Sequence, residues 1–235
     1  IGKYPRTHSS GKQPPESYRD MWNALHKDSM WSGEIWNRRK NGGIYPERLS
    51  ITVLRNDEGE ISNFVSLFTD ITEQKNVEQR LSHLAHHDHL TGLPNRTLFT
   101  DRLEHALAHS AREEHKIGLM FIDLDGFKPI NDDYGHDVGD SVLKAFARAA
   151  QNTLAGDDQF GRYGGEEWLF ILNTVDKQSV KTTFDSIANT LIDICSEIEG
   201  LNNTETITFS AGAAISSSSN RSLEKLIIHA DELLY

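Results

Sequence analysis

A single cysteine, Cys195, excludes a disulfide within this chain and fits a reducing compartment. It lies among Phe184, Ile187, Leu191 and Ile194, an apolar series of helical period, and is expected as a core thiol. Long apolar runs are missing: none approaches the roughly 20 residues a membrane-spanning helix needs, and no signal-peptide pattern is present. A cytoplasmic location is therefore expected, with any membrane attachment supplied by segments outside this sequence. Positive charge is in deficit, 24 Lys and Arg against 35 Asp and Glu for a net charge of −11. That balance argues against a nucleic-acid polymer as partner but leaves room for a local basic pocket around a nucleotide. An initiating methionine is absent too; the chain opens at Ile1-Gly2 and is expected to belong to something longer. What remains suits one large or two small domains, since 235 residues at 37% hydrophobic content suffice for ordinary cores.

The most informative stretch runs from Phe160 to Leu172. Gly164-Gly165 signals a hairpin turn between a short run containing Tyr163 and an apolar run, Trp168 to Leu172, fit for a buried strand. Two adjacent carboxylates, Glu166 and Glu167, stand at its tip, where they repel each other and gain nothing from packing. A divalent cation or polar ligand would account for them, and two residues without side chains let a phosphate approach the backbone. A lone Gly-Gly-Glu-Glu also reads as a solvated acidic turn. A second stretch weighs against that bland reading: Ile117 to Asp125 is a buried strand whose end breaks into acid, Asp123-Leu124-Asp125. Asp123 beside Glu166 would make a clamp of hard oxygen ligands suited to Mg2+.

Taken in order, residues 1 to about 20 are polar, and Pro14-Pro15 is expected to stop any helix. Tyr18, Met21, Trp22 and Leu25 then recur at helical spacing. Strands are expected over Glu34–Lys40, Ile44–Arg55 and Ile61–Phe68, with Trp22, Trp31 and Trp36 in core packing. Glu73 to Leu84 is a charged helix whose Val77, Leu81 and Leu84 form a coiled-coil seam of under two heptads. His83, His86, His87 and His89 crowd its end. His83 and His87 stand four apart, a metal-ligand spacing, but no Cys or Glu joins them. A helix capped by Asn95 runs to about Glu114, and others are expected over about Val138–Leu154, Lys177–Glu199 and Leu223–Leu234, with a strand over Thr206–Ile215. Strands alternating with helices indicate an α/β layered sheet.

Gly164-Gly165-Glu166-Glu167-Trp168, the acidic strand end and the opening motif Asp88-His89-Leu90-Thr91-Gly92-Leu93-Pro94-Asn95-Arg96 together resemble the GGDEF domain of diguanylate cyclases. The earlier segment, through Trp31 to Gly42 and Asp70-Ile71-Thr72, resembles the C-terminal part of a PAS sensor domain. The implied organisation is a partial PAS domain at 1–72, a helical coiled-coil linker at 73–84 and a GGDEF domain at 85–235, truncated at its C-terminus. The implied fold class is α/β: a GGDEF, nucleotidyl-cyclase-like sheet flanked by helices, preceded by a partial α+β PAS domain and a short helical linker.

The resemblance implies condensation of two GTP into cyclic di-GMP with release of pyrophosphate, dependent on Mg2+ or Mn2+, in a homodimer whose protomers each hold one GTP. Asp123 through its carboxylate and Leu124 through its carbonyl would bind the metal. Glu166 would be the second side-chain ligand and a candidate for helping to deprotonate the 3′-hydroxyl. Glu167 shares the signature, and Lys128 would steady phosphate charge. Asn131 and Asp140 would read the guanine edge, His136 would contact the nucleotide, and Phe127 would shape the pocket. Similar His-His-Asp openings are common in the family without a metal, and such cyclases often continue into an EAL phosphodiesterase domain. A second reading is therefore a GTP-binding regulatory domain controlling an attached EAL domain; a third is a dimerising scaffold. Three departures stand out. Trp168 occupies a place where the family has Phe. Ala155 replaces the Arg of the inhibitory Arg-x-x-Asp motif while Asp158 keeps its Asp, so tight feedback by cyclic di-GMP is not expected. The chain ends at Tyr235, before the family's Ala-Lys and Gly-Arg, which grip the triphosphate.

Overall fold

The computed structural model describes residues 9–113, 115–154, 156–173, 176–202, 206–216 and 222–234. They fall into two compact units, 1–82 and 83–235. In the first, Pro14-Pro15 does not stop a helix but opens one, α1 (Pro15–Asp28). Proline at the first helical position has the right φ already and lacks only an N–H that would have no helical partner. Ser29, left-handed at φ 57°, ends the helix. β1 (Met30–Arg38), β2 (Ile44–Arg55) and β3 (Ile61–Asp70) follow as an antiparallel meander in that order. Alternation turns Ile51 and Val53 toward Met21 and Leu25 of α1, which form the small core.

One helix does not cover the whole sheet. β3 is open nearly throughout, with Leu67 72% and Phe68 66% exposed. Two of the tryptophans correct the expectation of core packing: Trp22 is 46% and Trp36 38% exposed, whereas Trp31 is half-buried and packs against the small core. Trp22 instead meets Phe64 edge-on at 5.7 Å, and Lys12 Nζ lies 4.7 Å from the Trp36 ring centroid. A three-stranded sheet is too small to bury every ring it carries. Asp70 closes β3 by accepting from the Thr72 N–H and pairing with Arg39. α2 (Thr72–His86) follows, and it buries none of its residues; Val77, Leu81 and Leu84 stand exposed along it.

The second unit contains α3 (Arg96–Arg112), β4 (Gly118–Leu124), α4 (Phe127–Tyr134), α5 (His136–Thr153), β5 (Gln159–Gly164), β6 (Glu167–Leu172), α6 (Lys177–Cys195), β7 (Phe209–Ile215) and α7 (Leu223–Glu232). Its four strands lie in the order β5-β6-β4-β7, every pair antiparallel. Helices flank both faces, as expected. Met120, Ile122 and Leu124 of β4, with Trp168, Phe170 and Leu172 of β6, pack with α4, α5 and α6. Leu119 and Phe121, with Leu169 and Ile171, pack with α3 and α7. Burial on both sides is why these strands read as continuous apolar runs. Cys195 is a core thiol, pushed up to about 11 by burial. α4 is not anticipated from sequence, because Pro129 and the Asn-Asp-Asp run are poor helix formers; Pro129 falls in the first turn, where it is tolerated. No helix among the described residues is long and apolar enough to cross a membrane.

Candidate active site

Side chains alternate across β4, so Asp123 continues the Leu119 and Phe121 series that faces α3 and α7. Its register partner on β6 is Glu167, which extends the Leu169 and Ile171 series on the same face. Two carboxylates thus stand opposite each other where the apolar rows end, and Glu166 sits beside them in the turn. That turn is Gly165-Glu166, one residue later than the Gly-Gly pair suggests: Gly164 ends β5 opposite Glu167, because the register shifts between Arg162 and Gly164. Only Gly165 takes a positive φ, 43°, and a Cβ there would meet nothing within 4 Å. The backbone at this point is open to a ligand. The Leu124 N–H donates to the Glu166 carbonyl at 3.4 Å, joining turn to strand end. Arg162 braces the turn from behind: Nε donates to the Gly165 carbonyl at 2.9 Å, and a terminal nitrogen donates to both Asp88 oxygens at 3.1 Å.

Burial and crowding by acids set the electrostatics. Desolvation, then the charges of Glu166, Glu167, Asp125 and Asp231, push Asp123 up to about 6. Glu167 is raised by desolvation, then Asp231 and Glu166, against a lowering pull from Arg96. Arg96 and Asp231 were not among the residues singled out from sequence. They belong here because α3 starts and α7 ends on the face that carries Asp123 and Glu167, and Arg96 is also stacked 4.5 Å from the Tyr163 ring centroid. A sequence signal exists in hindsight: Asp231 follows directly on Ala230, which with Leu226 makes the buried face of α7. Asp125 is tied elsewhere, accepting from Thr208 Oγ1 at 2.8 Å and Ser210 Oγ at 2.7 Å.

Carboxylates crowded so that a cation would relieve their mutual repulsion are the donor chemistry of Mg2+ or Mn2+. Among the described residues no three His, Cys, Asp or Glu side chains are assembled to hold a metal by themselves. Such a donor set fits an ion that keeps water and shares substrate phosphate oxygens.

Three residues after Leu124, α4 begins with Phe127, which is buried; Lys128 is exposed and Asn131 half-buried on the same helix. His136, exposed, starts α5, and Asp140 is half-buried one turn on. Asn131 packs against Gly139 so closely that a Cβ there would lie 2.0 Å from its Oδ1 and 3.4 Å from the Phe127 ring. The expected residues therefore form two groups, the strand-end acids and the α4–α5 polar set, joined by Asp125-Gly126.

The departures also have places. Ala155 lies outside the described residues. Asp158 accepts from the Asn173 N–H at 2.8 Å. Trp168 is fully buried against Phe146, 4.8 Å between ring centroids, and its Nε1 has no hydrogen-bond partner among the described residues.

The family described as diguanylate cyclase, GGDEF domain, matches residues 85–235, and the PAS domain family matches residues 1–73. The cyclic di-GMP phosphodiesterase PdeR of Escherichia coli K12 is 35% identical over 71% of this chain and 24% of its own length. Diguanylate cyclase DgcM of the same organism is 36% identical over 71% of this chain and 39% of its own. The chain thus spans well under half of either relative. Among solved structures, the coiled coil and GGDEF domain of DgcB from Caulobacter crescentus in complex with c-di-GMP is 28% identical, with a TM-score of 0.58 over 70% of this chain and 86% of that one.

Proposed function

This chain belongs to the GGDEF-domain family of diguanylate cyclases, with a PAS-like region at its N-terminus, and we propose that it condenses two GTP into cyclic di-GMP and pyrophosphate as a homodimer. The observation that carries the reading is the pairing of Asp123 with Glu167 across two strands beside Glu166, with Asp123 pushed up to about 6 by burial and then by the acids around it. Mg2+ or Mn2+, held by the Asp123 and Glu166 carboxylates and the Leu124 carbonyl, supplies charge neutralisation for the triphosphate when bound.

The chain's own residues do the rest. The open backbone at Gly165 lets the phosphates approach, and Lys128 steadies their charge. Asn131 offers an amide carbonyl and Asp140 a carboxylate to the guanine N1–H and N2–H2; adenine would leave these acceptors unpaired. Phe127 walls the pocket and His136 contacts the nucleotide. Glu166 helps to take the 3′-hydroxyl proton, with Glu167 beside it in the signature. Each protomer presents one GTP, so two must face each other, and the exposed Val77, Leu81 and Leu84 of α2 supply an apolar stripe for pairing. The domain organisation proposed is PAS-derived sensing at 1–72, a linker at 73–84 and the cyclase at 85–235, in the cytoplasm.

A second reading is supported by the PdeR match: a GTP-binding domain that regulates an attached EAL phosphodiesterase. One assay separates them. The protein is incubated with GTP and Mg2+ and cyclic di-GMP is sought by chromatography. Product that disappears in Glu166→Ala supports the cyclase. GTP bound but unchanged supports the regulatory reading, and no GTP binding leaves a scaffold.

A further inference from the structure

The first residue of α3 is a cation set beside the strand-end acids, and several contacts fix where it stands. Asn95 caps the helix by accepting from the Leu98 N–H at 3.1 Å, and its own amide donates to the Ala85 carbonyl at 2.9 Å. The Pro94 carbonyl accepts from the Arg162 N–H at 3.0 Å, which ties the start of α3 to β5. The Arg96 guanidinium then lies over the Tyr163 ring, 4.5 Å from its centroid. Tyr163 in turn meets Phe121 edge-on at 5.8 Å, and Phe121 stands two residues before Asp123 on the same face of β4. Arg96 is thus held on the face to which Asp123 and Glu167 point, and its charge reaches Glu167. Its donors are nevertheless unused: among the described residues the guanidinium donates no hydrogen bond and forms no ion pair. Arg162, by contrast, is committed to Asp88 and to the Gly165 carbonyl. An arginine that served only to neutralise Glu167 would close on it in a two-pronged pair; here the stack keeps the planar group apart and exposed.

We propose that Arg96 binds the β- and γ-phosphates of the nucleoside triphosphate. A fork of free N–H groups, oriented by an aromatic ring and open to solvent, matches phosphate oxygens. A triphosphate entering among Asp123, Glu166, Glu167 and Asp231 meets repulsion, which a fixed cation at this place offsets. Lys128 belongs to α4, which packs on the other face of the sheet, so the two cations approach the phosphates from opposite sides. In the transfer, the bond from the 3′-oxygen to the α-phosphorus forms as the bridging bond to the β-phosphate breaks. The electron pair of the broken bond passes to the departing pyrophosphate, where Arg96 meets it, and the hydroxyl proton goes toward Glu166. The proposal rests on the nucleotide site of the cyclase reading and adds to it the residue that holds the leaving group.

The test titrates the full chain in Mg2+ with α,β-methylene GTP, which cannot release pyrophosphate, and with GMP. Triphosphate binding is followed by calorimetry and the weaker GMP by amide shifts. Arg96→Gln should weaken the triphosphate about tenfold to a hundredfold and leave GMP as it is in the wild type. Arg96→Lys, which keeps the charge but not the fork, should fall between. Arg102→Gln, which removes a charge farther along α3, should leave both ligands unchanged. On the wild-type protein, guanidinium nitrogen spectra should show the Arg96 signals shifting with the triphosphate and not with GMP, a readout independent of how the variants fold. Equal losses for both ligands in Arg96→Gln, no loss, or unshifted Arg96 signals overturn the proposal and leave the cyclase reading standing. Wild-type protein that binds no triphosphate overturns both. Arg96-dependent binding without cyclic di-GMP made from GTP supports the proposal and overturns the cyclase reading alone.

Discussion

Replacing Asp123 by Asn should make the metal-free protein more stable while removing its response to metal. Asp123 ionises at about 6, against an ordinary 3.8, because it is partly buried among Glu166, Glu167, Asp125 and Asp231. An acid raised in the folded state contributes its full stability below the unfolded value and loses it as pH rises through the folded one. Between about pH 4 and 6 this site therefore weakens the fold as pH increases. The unscreened ceiling is about 3 kcal/mol; the carboxylate is only half-buried, and solvent screening reduces this to about 1–2 kcal/mol. Asparagine keeps the shape and removes the charge. In chelator at pH 7.5, the melting transition of the second unit should rise by about 2–6 °C in Asp123→Asn. Mg2+ with GTP should then stabilise the wild type and shift the variant far less. Differential scanning calorimetry at pH 4, 6 and 7.5, with and without Mg2+ and GTP, reads both effects. A variant that melts below the wild type in chelator, or gains equally from Mg2+, would refute the reasoning.

Three further outcomes follow from other contacts. Arg162→Ala strips Asp88 of its nearly buried partner and should cost about 2–3 kcal/mol in urea unfolding. Burial would raise Asp88, but Thr91 and Arg162 hold it below the usual carboxylate range, so its stabilisation is present above that range and is lost as pH falls through the lowered value; the acid limb of stability should flatten in the variant. Gly139→Ala forces Asn131 from its place and should weaken GTP binding about tenfold to a hundredfold by calorimetry, with a smaller change in stability because alanine favours the helix. Trp168→Phe exchanges a cavity for removal of an unpaired indole N–H, opposing effects of about 1 kcal/mol or more each, so stability should change by no more than about 1 kcal/mol and the turnover rate should stay within about twofold.

How far the sequence could be read depended on whether local pattern or tertiary proximity decided each feature. β2 emerged with its observed bounds because alternation and two flanking turns fix a strand locally. Asp123 and the two glutamates were legible as acid at the ends of apolar runs. α4 was missed because its residues are poor helix formers on their own. The exposure of Trp22 and Trp36 depends on how much cover a small sheet receives, which composition does not encode. The Asp88–Arg162 pair joins residues 74 positions apart, and Arg96 and Asp231 reach the acids only once α3 and α7 lie on one face.

β6 is a partition. Residues 167, 169 and 171 look toward one layer of helices and 168, 170 and 172 toward the other. An unusual aromatic at 168 is therefore felt by α5, through Phe146, while the carboxylate next to it in sequence answers to different neighbours altogether. Adjacent letters of the signature can drift under separate constraints, one steric and one electrostatic, and a tryptophan in that position says nothing against the competence of the acids beside it.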